Sequence, residues 1–300
     1  MTGRPERRDL RGGWGGPEPA APWPGGARLA VSFVVNVEEG AELSIGDGDE
    51  RNEPVYEIRE EVEAGPDLCM ESHFAYGPRR GYGRIVSAFE AHDVRATFST
   101  CGRAARRLPW LMRDAVSRGH EIGCHGWRWE RHAGMDAQVE ARVIAETHAA
   151  IAEASGRPPV GWHTRSAPSE RTRALLRAHG GFLYDSDCYD DDLPRIEGDG
   201  DARHVILPYA FDTNDMRFSP GGGFVFPEDF TRYVAGAFDR LYDEGGRGAR
   251  MLSVGLHLRL IGRPGRISGL EALLAHMAAR EGVWFATRAD IARCWLERGP

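Results

Sequence analysis

From Leu29 to Val35 the chain is apolar apart from Ser32, and it then turns abruptly polar at Asn36, Glu38 and Glu39 before Gly40. A short apolar run closed by acids and a glycine reads as a buried strand feeding a loop. The pattern returns. Glu121–Cys124 ends at His125, and Val160–His163 runs into Arg165. Phe182–Tyr184 ends at Asp185, and Met251–Leu256 ends at His257. Val94–Thr100, Val205–Pro208 and Val283–Ala286 also read as strands. Helical patterns lie between them, over Tyr82–His92, Arg103–Arg118, Asp136–Ser155, Ser169–His179, Pro227–Asp243, Ser268–Arg280 and Thr287–Glu297. Strands alternating with helices give βαβ units and a mainly parallel sheet. Seven or eight strands suggest one barrel, with an open sheet as the alternative. The expected layout is an extended arm over residues 1–27 and a single catalytic α/β domain over 28–300.

The arm is rich in Gly, Pro and Arg, and Trp14 and Trp23 are its candidates for packing on this subunit or a neighbour. Across the 300 residues a net charge of −7 argues against nucleic-acid binding. No apolar stretch is long enough for a membrane span, and the N-terminus lacks the apolar segment of a secretory signal. Five scattered cysteines without a CxxC pair suit reduced thiols better than a disulfide framework or a cysteine zinc site. These features lead to a cytoplasmic expectation. There is no GxGxxG or GxxxxGK[ST] signature, so nucleotide binding has no support. The acidic stretch Ala41–Asp67 is longer than most connections, which suits a functional or mobile loop.

Parallel strands bring their carboxyl ends together, and ligands sit there. The residues delivered to that rim are Glu38, Glu39, His125, His163, Arg165, Asp185, Asp187 and His257. Carboxylates supply bases, histidines supply acids, and an arginine stabilises developing negative charge. Each has a blander reading. His125 and His257 suit satisfied buried histidines, and Arg165 suits an ion pair with Asp185 or Asp187. Asp185–Asp192 suits a solvated loop. Asp212, Asn214 and Asp215 read as loop-shaping residues. Alternate strand residues face opposite ways, so only one of Glu38 and Glu39 is expected to face a site.

The succession of an acidic pair, HGxRW, WxTR, YDSDxYDDDLP, DTNDMRF and GLHxRLIGRP resembles the polysaccharide-deacetylase superfamily. Within it, the likeness is to the branch of cofactor-independent allantoinases, and it runs from about Trp23 to the C-terminus. The resemblance implies a distorted (β/α)7 barrel of the NodB-like type. Its deacetylases use an acidic pair, an HxxxH metal motif, an arginine motif and a late histidine that protonates the leaving group. Glu38 and Glu39 match the acidic pair, with Asn36 and Glu38 as a second alignment. His125 matches the first metal histidine, Arg165 the arginine motif and His257 the late histidine. Trp129 stands at the second metal histidine, and His132 is three residues too far along. A catalytic zinc usually needs three protein ligands, so no tightly bound metal is expected.

A further departure is WHTRSAPSERTR at Trp162–Arg173, where the allantoinase branch resembles WYTGRTGPNTR; His73–Ala75 also differs. The expectation is therefore hydrolysis of a cyclic amide, either allantoin or a related ureide or imide. Glu38 or Glu39 would act as base and His257 as acid, with Arg165 and His125 at the oxyanion. Trp129, Trp162, His163, Asp185 and Asp187 are the candidates for binding substrate. Trp127 is a further candidate for an aromatic wall. No cofactor is expected. The partner is a small-molecule cyclic amide, and the arm suggests a homo-oligomer, dimeric or tetrameric. Two alternatives remain open: a metal-dependent deacetylase of N-acetylated sugars or peptidoglycan, for which zinc is a possible metal, and a catalytically inactive binding relative.

Overall fold

The computed structural model describes residue 10 and residues 18–55, 57–58 and 60–299, so Trp14 and most of the expected arm lie outside the described residues. The strands are β1 (Leu29–Val37), β2 (Thr97–Thr100), β3 (Glu121–Cys124), β4 (Gly161–Trp162), β5 (Tyr184–Asp185), β6 (Arg195–Glu197), β7 (His204–Ile206), β8 (Arg250–His257) and β9 (Val283–Phe285). They form one curled sheet in the order β6-β7-β5-β4-β3-β2-β1-β8. All pairings are parallel except β6 with β7. This is the curled half-barrel of a distorted NodB-like (β/α) fold.

All nine residues of β1 are buried, as a strand covered on both faces requires. β8 runs the full length of one edge, from Leu29↔Arg250 to Asn36↔His257. The other edge is shared. β9 pairs with Leu29–Val31 and β2 with Val34–Val37. The register brings the polar end of β1 beside the polar end of β8.

The sheet does not close between β7 and β8. The segment 209–215 spans the seam, with an Asn214–Gly255 bridge and a Gly255 N–H bond to the Thr213 carbonyl at 3.1 Å. Arg288, buried inside the barrel, ties the two sides together. Its guanidinium donates to Ser186 Oγ and Ser253 Oγ, and to the carbonyls of Leu207 and Pro208.

Helices α1 (Leu68–Tyr76), α2 (Tyr82–Glu90), α3 (Gly102–Arg107), α4 (Pro109–Ser117), α5 (Ala137–Ser155), α6 (Thr172–His179), α7 (Pro227–Glu244), α8 (Ile267–Ala278) and α9 (Arg288–Arg298) pack around the sheet. The single helix expected over Arg103–Arg118 is broken into α3 and α4. Pro109 has no N–H and pushes Leu108 out of the helical region, to φ −124° and ψ 46°. Helix α1 was not read from the sequence; Asp67 caps it by accepting from Met70 N–H at 2.9 Å. The antiparallel β6 was also missed, being a short, half-buried edge strand.

The described end of the arm packs on its own chain. Trp23 donates from Nε1 to the Arg250 carbonyl at 3.1 Å, and its ring lies 5.9 Å from Trp284 and 5.5 Å from Trp295. Glu18 pairs with Arg250 at 2.7 Å. No helix among the described residues is long and apolar enough to cross a membrane.

Candidate active site

Glu38 follows β1, His257 ends β8, His125 follows β3 and His163 follows β4, so the four meet at the carboxyl ends of the strands. Glu38 Oε2 accepts from Arg259 Nη1 at 2.8 Å. Its Oε1 lies 3.7 Å from His257 Nε2 and 3.8 Å from His125 Nε2, a spacing that leaves it without a direct bond to either ring.

Both imidazoles are oriented from behind. His125 Nδ1 is 2.7 Å from the His163 carbonyl, which only accepts, so Nδ1 carries the hydrogen and Nε2 faces Glu38. His257 Nδ1 is 2.7 Å from Asp215 Oδ1. Asp215 Oδ2 is itself fixed by the backbone N–H groups of His257, at 2.8 Å, and Ile261, at 3.0 Å.

The protonation states follow from these contacts. Burial pushes the Glu38 carboxyl up, but the charges of Arg259, His257 and His125 outweigh it and hold Glu38 well below the usual carboxylate range. Burial pulls His257 down, and the carboxylates of Asp215 and Glu38 bring it above its ordinary value. These contacts thus favour Glu38 as the carboxylate and His257 as the imidazolium.

Glu39 points the other way. Its Oε1 accepts from the Arg259 N–H at 3.1 Å and presses on Gly77, where a Cβ would come within 2.5 Å of that oxygen. Burial, reinforced by the Glu38 charge, pushes Glu39 up to about 7. It does not line the cavity, so Glu38 alone of the acidic pair reaches it.

The cavity has a volume of about 280 Å³, at the lower end of the range for small-molecule sites. Glu38, His125, His163, Trp129, Tyr209 and His257 line its depth, with Arg259 beside them. Phe74 lies between Trp129, stacked on it at 5.9 Å, and the Arg259 guanidinium, 4.6 Å from its ring centre. Glu53, Pro54, Val55 and Glu57, from the long acidic loop, cover one side. Tyr189 and Phe211, stacked 4.2 Å apart, form another. Arg165 stands exposed at the mouth. Trp129 and Ser166 both hold left-handed backbone, at φ 48° and 49°, and such strained positions concentrate at functional sites.

Three expected substrate-binding residues are elsewhere. Trp162 is fully buried beneath the cavity, with its indole N–H on Thr164 Oγ1 at 2.8 Å. Asp185 is held by Arg173 at 2.7 Å and His204 at 2.9 Å. Asp187 accepts from the N–H and hydroxyl of Thr164. None of the three lines the cavity, because their polar atoms are already satisfied inside the wall. Trp127 faces outward under Arg106, 4.7 Å from its ring centre, and is not part of the lining.

Conversely, sequence reasoning left out Arg259 and Tyr209, and assigned Asn214 and Asp215 to loop shaping. Arg259 sits two residues beyond His257 on the stretch GLHLRLIGRP, so an i, i+2 reading of that strand end was the available signal. Nothing local marked Asp215, whose role appears only when 209–215 crosses the seam.

The residues present do not fit a tightly bound metal. Trp129 replaces an imidazole at the second histidine position, and His132 is buried against Glu140 at 3.2 Å. Arg259 already supplies a positive charge to Glu38. Among the described residues no group of three His, Cys, Asp or Glu side chains is arranged to hold an ion.

A half-barrel whose strand ends gather a carboxylate and two back-supported histidines is a hydrolase architecture. The chain belongs to the polysaccharide deacetylase family, and it is a hydrolase of the deacetylase and allantoinase type that acts on C–N bonds. The family profile for polysaccharide deacetylase matches residues 64–180. The chain is 36% identical over 320 residues to a putative polysaccharide deacetylase of Schizosaccharomyces pombe, covering 98% of each. Among solved structures it is similar to a probable polysaccharide deacetylase from Pseudomonas aeruginosa PAO1, with 41% identity and a TM-score of 0.91 over 98% of this chain and 99% of that one. It is equally similar to PuuE allantoinase, with 42% identity and a TM-score of 0.90 over 98% of each chain.

Proposed function

We propose that this protein opens a small cyclic ureide or imide by hydrolysing a ring C–N amide bond. The observation that carries this reading is geometric: Glu38 turns one oxygen to Arg259 and the other toward His257 Nε2, while Asp215 orients the His257 ring from behind. Similarity to PuuE allantoinase over almost the whole chain supports it, as does a cavity sized for a compact heterocycle.

In this mechanism a water bonds both Glu38 Oε1 and His125 Nε2 from the cavity side. Glu38 takes its proton as the oxygen adds to the ring carbonyl carbon. His257 Nε2–H then protonates the ring nitrogen as the C–N bond breaks. The product is an open-chain acid whose new carboxylate is within the field of Arg165. His125 Nδ1 donates to the His163 carbonyl, so the ring presents Nε2 to that water. His163 and Arg165 depart from the allantoinase pattern at the cavity wall, so the favoured ring is a relative of allantoin.

Deacetylation of an N-acetylated sugar is the second reading, favoured by the name of the S. pombe relative. The test is turnover by chelator-treated protein of allantoin, hydantoins, cyclic imides and N-acetylated sugars. Metal-free turnover of a cyclic amide is expected. Activity confined to N-acetylated sugars, lost on chelation and restored by zinc, would overturn the proposal.

A further inference from the structure

Tyr209 is buried at the floor of the cavity, and the hydrogen-bond count around its hydroxyl does not close within the protein. The Asn36 and Asn214 amides both approach Oη, with their nitrogens at 3.2 and 3.1 Å. Each amide's orientation is fixed by a backbone group. Asn36 Nδ2 also donates to the Leu256 carbonyl at 3.2 Å. Asn214 Oδ1 accepts from the Met216 N–H at 2.8 Å. Both amides therefore present N–H to Tyr209, and the phenolic oxygen accepts twice. Its own hydrogen must go elsewhere, and among the described residues it meets no acceptor.

The surroundings leave the cavity as its direction. Gly255 clears the space for the Asn214–Tyr209 contact; a Cβ there would collide with both side chains. The Tyr209 ring lies against His163 at 4.4 Å. The Arg288 bonds to the carbonyls of Leu207 and Pro208 hold the backbone just before it. Asn36 and Gly255 each lie two residues before a working group, Glu38 and His257, on the same faces of adjacent strands. Asn36 is also the register partner of His257, so Tyr209 Oη is held at the strand ends that carry the base and the acid.

We propose that Tyr209 is a catalytic residue: its hydroxyl donates a hydrogen bond to the carbonyl oxygen of the amide under attack and stabilises the oxyanion as water adds. No bond to Tyr209 forms or breaks, and the phenol keeps its hydrogen throughout. Burial and the nearby carboxylates push the phenol above its ordinary value, so it stays a donor across the working range. In this chain a preorganised neutral donor and Arg259 do the electrostatic work at the reacting centre. The inference rests on the amide-hydrolysis reading but not on the ring, because a cyclic amide and an N-acetyl group both present such a carbonyl.

The experiment compares wild type with Tyr209→Phe on the best substrate of the amide panel, by steady-state kinetics over pH and by thermal melting. The expected result is a fall in kcat on the order of a hundredfold, with KM and both pH limbs little changed. Asn214→Asp gives an independent route that keeps the tyrosine. It replaces a donor with an acceptor that captures the phenolic hydrogen and turns it from the cavity, and a loss of kcat similar to that of Tyr209→Phe is expected. Wild-type kcat in a folded Tyr209→Phe protein, or a change in KM alone, would overturn the proposal. If Tyr209→Phe does not fold, undiminished kcat in Asn214→Asp overturns it equally. Failure of the cyclic-amide reading would show separately, as wild-type turnover of N-acetylated substrates only.

Discussion

Two strand-end clusters in this protein have the same composition and opposite fates. At the end of β1 and β8, Glu38 meets Arg259 and His257. At the end of β5, Asp185 meets Arg173 and His204. Each is a buried carboxylate with an arginine and a histidine. Asp185 is closed: both oxygens are engaged by Arg173, one also by His204 and the other by the Asp187 N–H. It has no exposed surface. Glu38 is open: Arg259 holds one oxygen, and the other faces two imidazole nitrogens across a gap that a water would bridge. A site differs from a structural ion pair in the bond left unmade, not in the residues supplied.

The sharpest way to break this comparison is to neutralise each acid. Glu38→Gln keeps shape and an oxygen for Arg259 but removes the base, so kcat is expected to fall on the order of a hundredfold or more in a protein that still folds. Asp185→Ala strands the buried His204 and leaves the half-buried Arg173 without its carboxylate, and a loss of about 3 kcal/mol, the low end for breaking a buried pair, is expected by denaturant unfolding. At temperatures where that variant stays folded, kcat should hold. An active Glu38→Gln protein would remove the distinction.

The next effect concerns the histidines. His257 must be charged and Glu38 ionised, so kcat should follow a bell. Its acid limb should lie below the ordinary glutamate value of about 4.3, because Glu38 is held down. Its alkaline limb should lie above the ordinary imidazole value of about 6.5, because His257 is held up. Asp215→Asn removes the charge that supports the imidazolium. The alkaline limb should then move to lower pH, with a loss on the order of tenfold in kcat near neutrality. An unmoved limb would mean that His257 is not the acid.

What the sequence disclosed divides along the same line. The period of apolar runs and helices was enough for a parallel half-barrel, because burial on both faces dictates composition strand by strand. The polar residues closing those runs marked the rim, and Glu38, His125, His163, Arg165 and His257 do line one cavity. Which rim residues are sealed was not legible. Asp185 and Asp187 face partners supplied by α6, β7 and the loop after β4, none of which is local in sequence, and Trp162 is sealed beneath the cavity with its N–H on Thr164. Asp215 and Tyr209 matter only because the sheet stays open and the segment 209–215 crosses the gap. The Arg103–Arg118 helix was split by a proline that the apolar pattern alone passed over.

The smallest expected effect tests how closed the Asp185 cluster is. Arg173 bonds Asp185 through Nε and Nη2, at 2.7 and 3.1 Å, and its side chain keeps 28% of its surface in solvent. Lysine at this position keeps the charge but loses the planar fork that spans both oxygens. His204 and the Asp187 N–H still hold the carboxylate, so it is not left bare. Arg173→Lys should therefore cost only about 1 kcal/mol, a fall of about 2 °C in melting temperature for a chain of this size. Both pH limbs and kcat should coincide with wild type. A shifted limb would show that Asp185 is felt at Glu38, and that the two clusters form one electrostatic unit rather than a working site beside a structural one.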